Sequence, residues 1–461
     1  MDPGDSAAAT PFADAARRVP EFPSDALEHA RVPGESGPAL VGHSLGFLFR
    51  TQALMDGLRE RHGPNFRMQI FGHPLFIAGS PDAVREVLLD RDKNFSNARG
   101  WGPSLGKLFA RGLMLRDFEE HRVDRRIMQA AFRADAMRSY VDSMAAPIHA
   151  AVSRWPRELR LYPELKRLTL DMAARIFLGL PLDRDTQRIN DAFAAAVAAS
   201  IAVVRRELPG FAFARGMRGR RTLEKFFDAL VATRRESPGD DLLSELCRAR
   251  SDEGERFSSR AIGDHMIFVM MAAHDTTTSA LSSIVHCMLV EPVWQERVRA
   301  EILARSGEPL GWDQRAALPA LDRCFDEALR LYPPVPFLAR RVVRTCTLAG
   351  IEVPENSALA VSSLVTHRLP EHWTQPDRFD PDRFLPERAE HAAHSHLYYP
   401  FGGGAHVCIG LHFARIQVKA VLSELLGRYR IVAPGPVHAR KIAAVPIPRP
   451  LDGLPVRLEP L

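Results

Sequence analysis

Residues 258–290 constrain the fold more than any other stretch of this 461-residue chain. Met266-Ile267-Phe268-Val269-Met270-Met271-Ala272-Ala273 is continuously apolar and lies within a helical pattern. At 1.5 Å per residue, such a helix is roughly 50 Å long, enough to cross a whole domain. As a membrane span it fails, because the uninterrupted apolar run is too short and Asp275 lies at its centre. A helix apolar on all sides over its first half belongs in a core. His274-Asp275-Thr276-Thr277-Thr278 interrupts the run. Consecutive threonines are poor helix formers, and their hydroxyls can bond back to carbonyls one turn earlier, bending or widening the helix. A buried carboxylate at mid-helix is costly unless it is used or paired. Asp275 and Thr276, an acid beside an alcohol, can form a proton relay; a kink with satisfied hydroxyls is the plain structural alternative.

Around this helix the chain reads as mainly helical with small sheets, and no clean linker divides it. Hydrophobic content of 46% and charged content of 25% are those of a soluble globular protein. The formal charge of +5 comes from basic residues spread along the chain, which argues against a nucleic-acid-binding arm. Five cysteines (Cys247, Cys287, Cys324, Cys346 and Cys408) show no paired spacing, as expected in a reducing compartment. Residues 1–32 read as a loose arm that is neither signal peptide nor membrane anchor, so the expectation is a cytoplasmic protein whose domain spans 33–461.

The chain in order predicts a helix over about 47–61, a β-hairpin over 66–78, and a short helix from Pro81 capped by Ser80. Residues 94–114 read as an unusually apolar loop, either a packed surface loop or the wall of an apolar pocket. Helical spans follow at 117–132, 136–153, 163–179, 185–204, 220–236, 240–249, 258–290 and 292–305, with short strands after residue 340. The basic and aromatic run from Arg205 to Arg221 reads as a solvated turn, with contact to a membrane surface or an anionic substrate as the lesser alternative. Residues 375–400 form an irregular stretch too long for an ordinary connection.

Phe401-Gly402-Gly403-Gly404-Ala405-His406-Val407-Cys408-Ile409-Gly410 holds one cysteine in a glycine-rich bend before a helix. Free N–H groups and the dipole of such a turn stabilise a thiolate, and glycine allows close approach to a flat partner. This suits an axial haem ligand, with zinc ligand and reactive nucleophile still open from turn chemistry alone. Glu327 and Arg330 lie three apart on one helix and can pair. Arg383, in Pro381-Asp382-Arg383-Phe384, could join them as a buried structural triad.

Together these segments resemble the cytochrome P-450 family, haem-thiolate monooxygenases, here of the soluble bacterial type, from about residue 33 to the end. FGGGAHVCIG fits that family's Phe-x-x-Gly-x-(Arg/His)-x-Cys-x-Gly signature at every fixed position. AAHDTT resembles its oxygen-activating segment, EALR its Glu-x-x-Arg element, and PDRF the turn that completes the triad. The resemblance implies a cytochrome P-450 fold as a single large domain, with haem b as cofactor and Cys408 as the metal ligand. It places Phe401 beside the sulfur, and His406, His121, Arg125 and Arg340 on the haem propionates. Asp275 and Thr276 would deliver protons to dioxygen. Ala273 departs from the family, which usually has glycine there.

The resemblance also assigns a substrate pocket. Phe95, Trp101, Leu113 and Met114 would come from the apolar loop, and Phe268, Met271 and Ala272 from the central helix. Val335, Phe337 and Leu338 would follow the EALR helix, with Pro446 and Ile447 near the end. All are apolar, so the expected substrate is lipophilic and is hydroxylated or epoxidised with one oxygen atom of O2. No flavin, nicotinamide or iron–sulfur segment is visible, which makes a ferredoxin and ferredoxin reductase the expected electron donors. Arg122, Arg126, Arg415 and Lys419 are the expected docking cations. Three alternatives remain: a peroxide-driven or non-oxygenating enzyme on the same fold, a haem sensor without turnover, and a zinc site of His406, Cys408 and His412. The last lacks a nearby fourth ligand.

Overall fold

The computed structural model describes residues 23–29, 31–38, 41–181, 186–250, 256–305, 318–437 and 441–461. Residues 1–22 and 30 of the expected arm lie outside them. The rest of that arm is anchored, because it carries apolar side chains. Leu27 and Val32 are buried in a core cluster with Phe76, Val342 and Leu359, and the Ser24 N–H donates to the Asn356 carbonyl (3.0 Å).

The hairpin is present as β1 (Asn65–Ile70) and β2 (His73–Ala78). With β3 (Phe95–Ser96), β4 (Phe337–Val342) and β5 (Ala358–Ser362) it forms one sheet in the order β1-β2-β5-β4-β3. β5 runs parallel to β2, with Leu75 opposite Ala358, and antiparallel to β4, with Arg340 opposite Leu359. Between β2 and β3 lies α1 (Pro81–Leu89), where Ser80 Oγ accepts from the Ala83 N–H as the Ser-Pro start predicts.

The apolar stretch 94–114 is more regular than its composition suggests. β3 leads into α2 (Asn97–Leu105), and a single 3-10 turn covers Leu113–Leu115. Next come α3 (Phe118–Met128), α4 (Leu161–Leu178), α5 (Thr186–Ala199) and α6 (Ala212–Glu236). α6 starts eight residues before the expected 220, and Gly216 and Gly219 explain why. They are not breakers but a seam for α5: a Cβ on Gly216 would lie 2.3 Å from the Ala199 Cβ. Close helix contact repays the poor propensity of glycine. The expected helix over 47–61 is also two, Ser44–Phe49 and Thr51–His62, because Arg50 leaves helical geometry (φ −142°, ψ 41°).

α7 (Ser259–Val290) is the long central helix, capped by Ser258 and buried along most of its length. The main core surrounds it, drawing Leu165, Phe177, Phe193, Phe227, Phe325 and Leu422 from five neighbouring helices. Two of those helices, α8 (Pro319–Leu331) and α9 (Leu411–Arg428), bracket the irregular stretch and the cysteine loop. Among the described residues no helix is long and apolar enough to cross a membrane.

Candidate active site

The cysteine loop is built by backbone contacts. The Cys408 N–H donates to the Phe401 carbonyl (2.9 Å), and the Gly402 N–H to the Tyr399 carbonyl (2.9 Å). Gly402 and Gly404 adopt φ of +71° and +60°. A Cβ on Gly404 would lie 1.9 Å from the Leu88 carbonyl oxygen, so this glycine serves the packing of the loop onto the end of α1. Phe401 stacks on Phe325 of α8 with ring centroids 6.1 Å apart. Cys408 is exposed, whereas Cys247, Cys287 and Cys324 are buried. Desolvation by the surrounding chain pushes its thiol up, opposed by the Gly410 N–H and the Arg125 charge. These are the two influences that stabilise a thiolate.

Four basic side chains from three segments share this neighbourhood. The rings of His121 (α3) and His406 (cysteine loop) lie 3.8 Å apart. Burial depresses the His121 pKa to about 4, assisted by Arg125 and Arg340. His406 is lowered further by burial, His121, Arg340 and Arg125. Arg340 of β4 is itself lowered to about 10 by burial, partly offset by Asp90 and Asp117. Those carboxylates accept backbone N–H groups of their own: Asp90 from Asn94, and Asp117 from Asn97 and Ala98. Arg125 has no ion-pair partner among the described residues. Two arginine charges that hold the neighbouring imidazoles neutral fit a ligand bringing its own carboxylates, and the thiol beside them fits a metal at its centre. Haem, an iron carrying two propionates, matches that donor set. Among the described residues no group of three or more His, Cys, Asp or Glu is placed to hold a metal ion, so His406, Cys408 and His412 do not form a zinc site.

In α7, side chains at consecutive positions bond back one turn, as hydroxyls in a helix can. Thr276, Thr277 and Thr278 donate to the carbonyls of Ala272 (2.6 Å), Ala273 (2.8 Å) and His274 (2.7 Å). Asp275 is buried, with Lys166 Nζ of α4 at 2.8 Å from its Oδ1. Burial raises its pKa, but His274 and Lys166 outweigh this and hold it below the usual carboxylate range. Sequence alone did not single out Lys166. A buried acid calls for a cation, but nothing in Leu165-Lys166-Arg167 identifies which residue of a distant helix supplies it.

Glu327, Arg330 and Arg383 form one fully buried cluster. Arg330 holds Glu327 through both nitrogens (2.6 and 2.8 Å), and Arg383 Nε reaches Glu327 Oε1 at 3.0 Å. Their remaining donors bind carbonyls of the irregular stretch: Pro376 (2.7 Å) from Arg330 and Thr374 (2.9 Å) from Arg383. Both guanidiniums also lie over the Trp373 ring.

The expected pocket residues divide. Leu113 and Met271 belong to the main core, and Trp101, Met114 and Phe268 pack against it, as do Ala273 and Phe401. Gly112 backs directly onto Phe268, where a Cβ would lie 2.5 Å from the Phe268 Cβ, which brings the apolar stretch onto α7. Ala272 is half-buried, and its carbonyl takes the Thr276 proton. Phe95 differs: strand pairing with Val342 turns it into the cluster of Phe76, Val87 and Leu88, away from Trp101. Leu338 borders that same cluster. Phe337 packs on Phe47 at 5.2 Å in a third cluster, Val335 is half-buried just before it, and half-buried Pro446 and Ile447 follow Val445 of that cluster. Two of the expected docking cations are committed elsewhere. Lys419 is buried against Asp322, and Arg415 pairs with Asp322 and Asp326. Arg122 and Arg126 are exposed on α3, with Arg122 paired to Glu119 one turn back.

The family described as Cytochrome P450 matches residues 33–444. The chain is 38% identical over 440 residues to a putative cytochrome P450 136 of Mycobacterium tuberculosis, covering 93% of this chain and 88% of that one. It is 29% identical to a pentalenene oxygenase of Streptomyces avermitilis over 92% of this chain and 96% of the other. A solved structure of a retinoic acid-bound cyanobacterial CYP120A1 superposes with a TM-score of 0.86 at 28% identity, covering 93% and 99% of the two chains.

Proposed function

The chain belongs to the cytochrome P450 family, haem-thiolate monooxygenases, and from that footing we propose that Cys408 is its iron ligand. The observation that carries this is the Cys408 thiol with Arg125 acting on it and His121, His406 and Arg340 gathered with that arginine, which has no ion-pair partner among the described residues. In this assignment those four side chains hold the two propionates, and Phe401 shields the sulfur. Bound there, haem supplies the one-electron and oxygen chemistry that no side chain can provide.

The chain's own part is proton handling and exclusion of water. The Thr276 hydroxyl donates its hydrogen bond to the Ala272 carbonyl, so its lone pairs are left to accept a hydrogen bond and fix a water or hydroxyl group. Asp275 is held ionised at rest and receives protons through Lys166, whose side chain retains 14% exposure to solvent. The methyl of Ala273 narrows the groove beside them.

Trp101, Leu113, Met114, Phe268 and Met271 make the wall apolar, which selects a lipophilic substrate. The pentalenene oxygenase relative and the retinoic acid-bound neighbour both point to the isoprenoid class. Oxygen insertion needs electrons from a separate donor, a ferredoxin with its reductase, docking near Arg122 and Arg126. The test is reconstitution with haem, followed by the carbon monoxide difference spectrum and turnover of pentalenene and retinoic acid. A thiolate-type spectrum that Cys408→Ser abolishes is expected. An unchanged spectrum in that variant would sink the ligand assignment.

A further inference from the structure

His274 is fully buried in α7, beside the acid assigned above to proton delivery. Its Nδ1 lies 2.6 Å from the Met270 carbonyl oxygen, one turn back. A carbonyl only accepts, so Nδ1 carries the ring proton and, in the neutral ring, Nε2 is a bare lone pair. That Nε2 is 3.5 Å from Asp275 Oδ1 and has no hydrogen-bond partner. Asp275 Oδ2 is also buried without one. Adjacent residues on a helix do not normally face each other, so the approach is a specific feature of this site. Phe193 of α5 closes the other side of the imidazole, its ring 5.2 Å away and edge-on.

Two acceptors opposed in a dry helix centre are unfavourable, and a proton between them removes the conflict. Other groups act on the pair from the elements around it. Lys166 and Tyr162 come from α4, and Arg449 from the strand near the end of the chain. Lys166 binds Asp275 Oδ1 but makes no bond to the ring, so it leaves the Nε2 lone pair unsatisfied.

We propose that His274 is a positioning residue for proton delivery: its Nε2 and the Asp275 carboxylate share one dissociable proton, and the imidazole thereby sets the pH at which Asp275 can carry it. In the exchange, the Nε2–H bond of the imidazolium breaks and an O–H bond forms on Asp275. The ring is left neutral with its Nδ1–H still donating to the Met270 carbonyl, and once Asp275 has passed its proton on, a proton from bulk solvent entering at the Lys166 end restores the imidazolium. The inference rests on the assignment of Asp275 to proton delivery.

The carboxyl C=O stretch of Asp275, identified in the haem-loaded protein as the infrared band lost in Asp275→Asn, is followed through a pH titration. Removing the imidazole removes the group that takes up the shared proton in place of the carboxylate, so His274→Phe moves the carboxyl midpoint up by about one pH unit. His274→Gln preserves the shape and can donate to the carboxylate but cannot exchange a proton; its midpoint moves in the same direction by less. Should the Phe variant fail to fold, the Gln variant carries the test. An unmoved midpoint in the folded variants, or no Asp275 band at any pH, overturns the shared proton. Asp275→Asn with normal oxygenation would instead remove the proton-delivery role while leaving the shared proton in place.

Discussion

Lys166 Nζ lies 2.8 Å from Asp275 Oδ1, so an ion pair joins α4 to α7 where the apolar run of the central helix ends. Breaking a buried pair costs more than the pair contributes, because the remaining charge has no solvent. Lys166→Met therefore takes the bonded cation from the buried Asp275 carboxylate and destabilises the protein by about 3 kcal/mol. Adding Asp275→Asn to that variant recovers most of the loss. Urea denaturation of the four members of this cycle checks it, and additive losses would show the pair to be uncoupled.

Arg383→Ala opens the cluster around Glu327. It removes one of the two guanidiniums that hold the buried Glu327 carboxylate and leaves carbonyls of the irregular stretch without their donor, at a cost of about 3–5 kcal/mol. Arg383→Lys rescues little, because a single ammonium cannot reach Glu327, Glu390 and the Thr374 carbonyl together. The urea midpoint and the fraction of protein that retains haem should fall in parallel.

The histidine pair makes the haem-free protein acid-sensitive. His121 has a folded-state pKa of about 4 against an ordinary 6.5, and His406 is depressed as well. Below pH 6.5 the unfolded chain takes up protons that the folded one refuses, so stability is lost as pH falls from 6.5 towards 4. His121→Phe flattens the profile in that window. Thermal midpoints recorded across it for both proteins decide the matter.

Arg205 bridges two helix ends. Its guanidinium donates to the Ser200 carbonyl (3.1 Å) after α5 and the Ser104 carbonyl (2.9 Å) in the last turn of α2, with Phe213 4.9 Å beneath it. A cation is favoured where helix carbonyls are unpaired. Arg205→Ala releases the link and costs about 1–2 kcal/mol of local stability. Hydrogen exchange at the amides of residues 104–109 should quicken about 5- to 30-fold, with α9 unchanged.

The central helix, the hairpin and the Ser80 cap were legible in the sequence because each rests on local pattern. The back-bonded threonines follow equally from residue type. What escaped depends on partners distant in the chain. Phe95 looks like a pocket residue until strand pairing with Val342 fixes which way it faces. Gly216 lies in a run that reads as a solvated turn until Ala199 is seen against it. Lys419 looks like a surface cation on a helix, yet Asp322 of α8 takes it into the interior. Arg205 sits in a run that reads as a solvated turn, and its carbonyl partners lie on separate elements.

The Glu327 cluster also bears on the order in which the protein matures. Glu327 meets Asp380 and Arg383 across 53 and 56 residues of chain, a closure whose entropy must be met before any of these bonds forms. The cysteine loop begins 18 residues beyond Arg383, at the far end of a stretch with little regular structure of its own. A newly made chain whose helices have already collapsed still lacks a fixed cysteine until that knot is tied. Haem capture is then a late event in biogenesis, and cells short of haem should accumulate a folded precursor rather than an unfolded one.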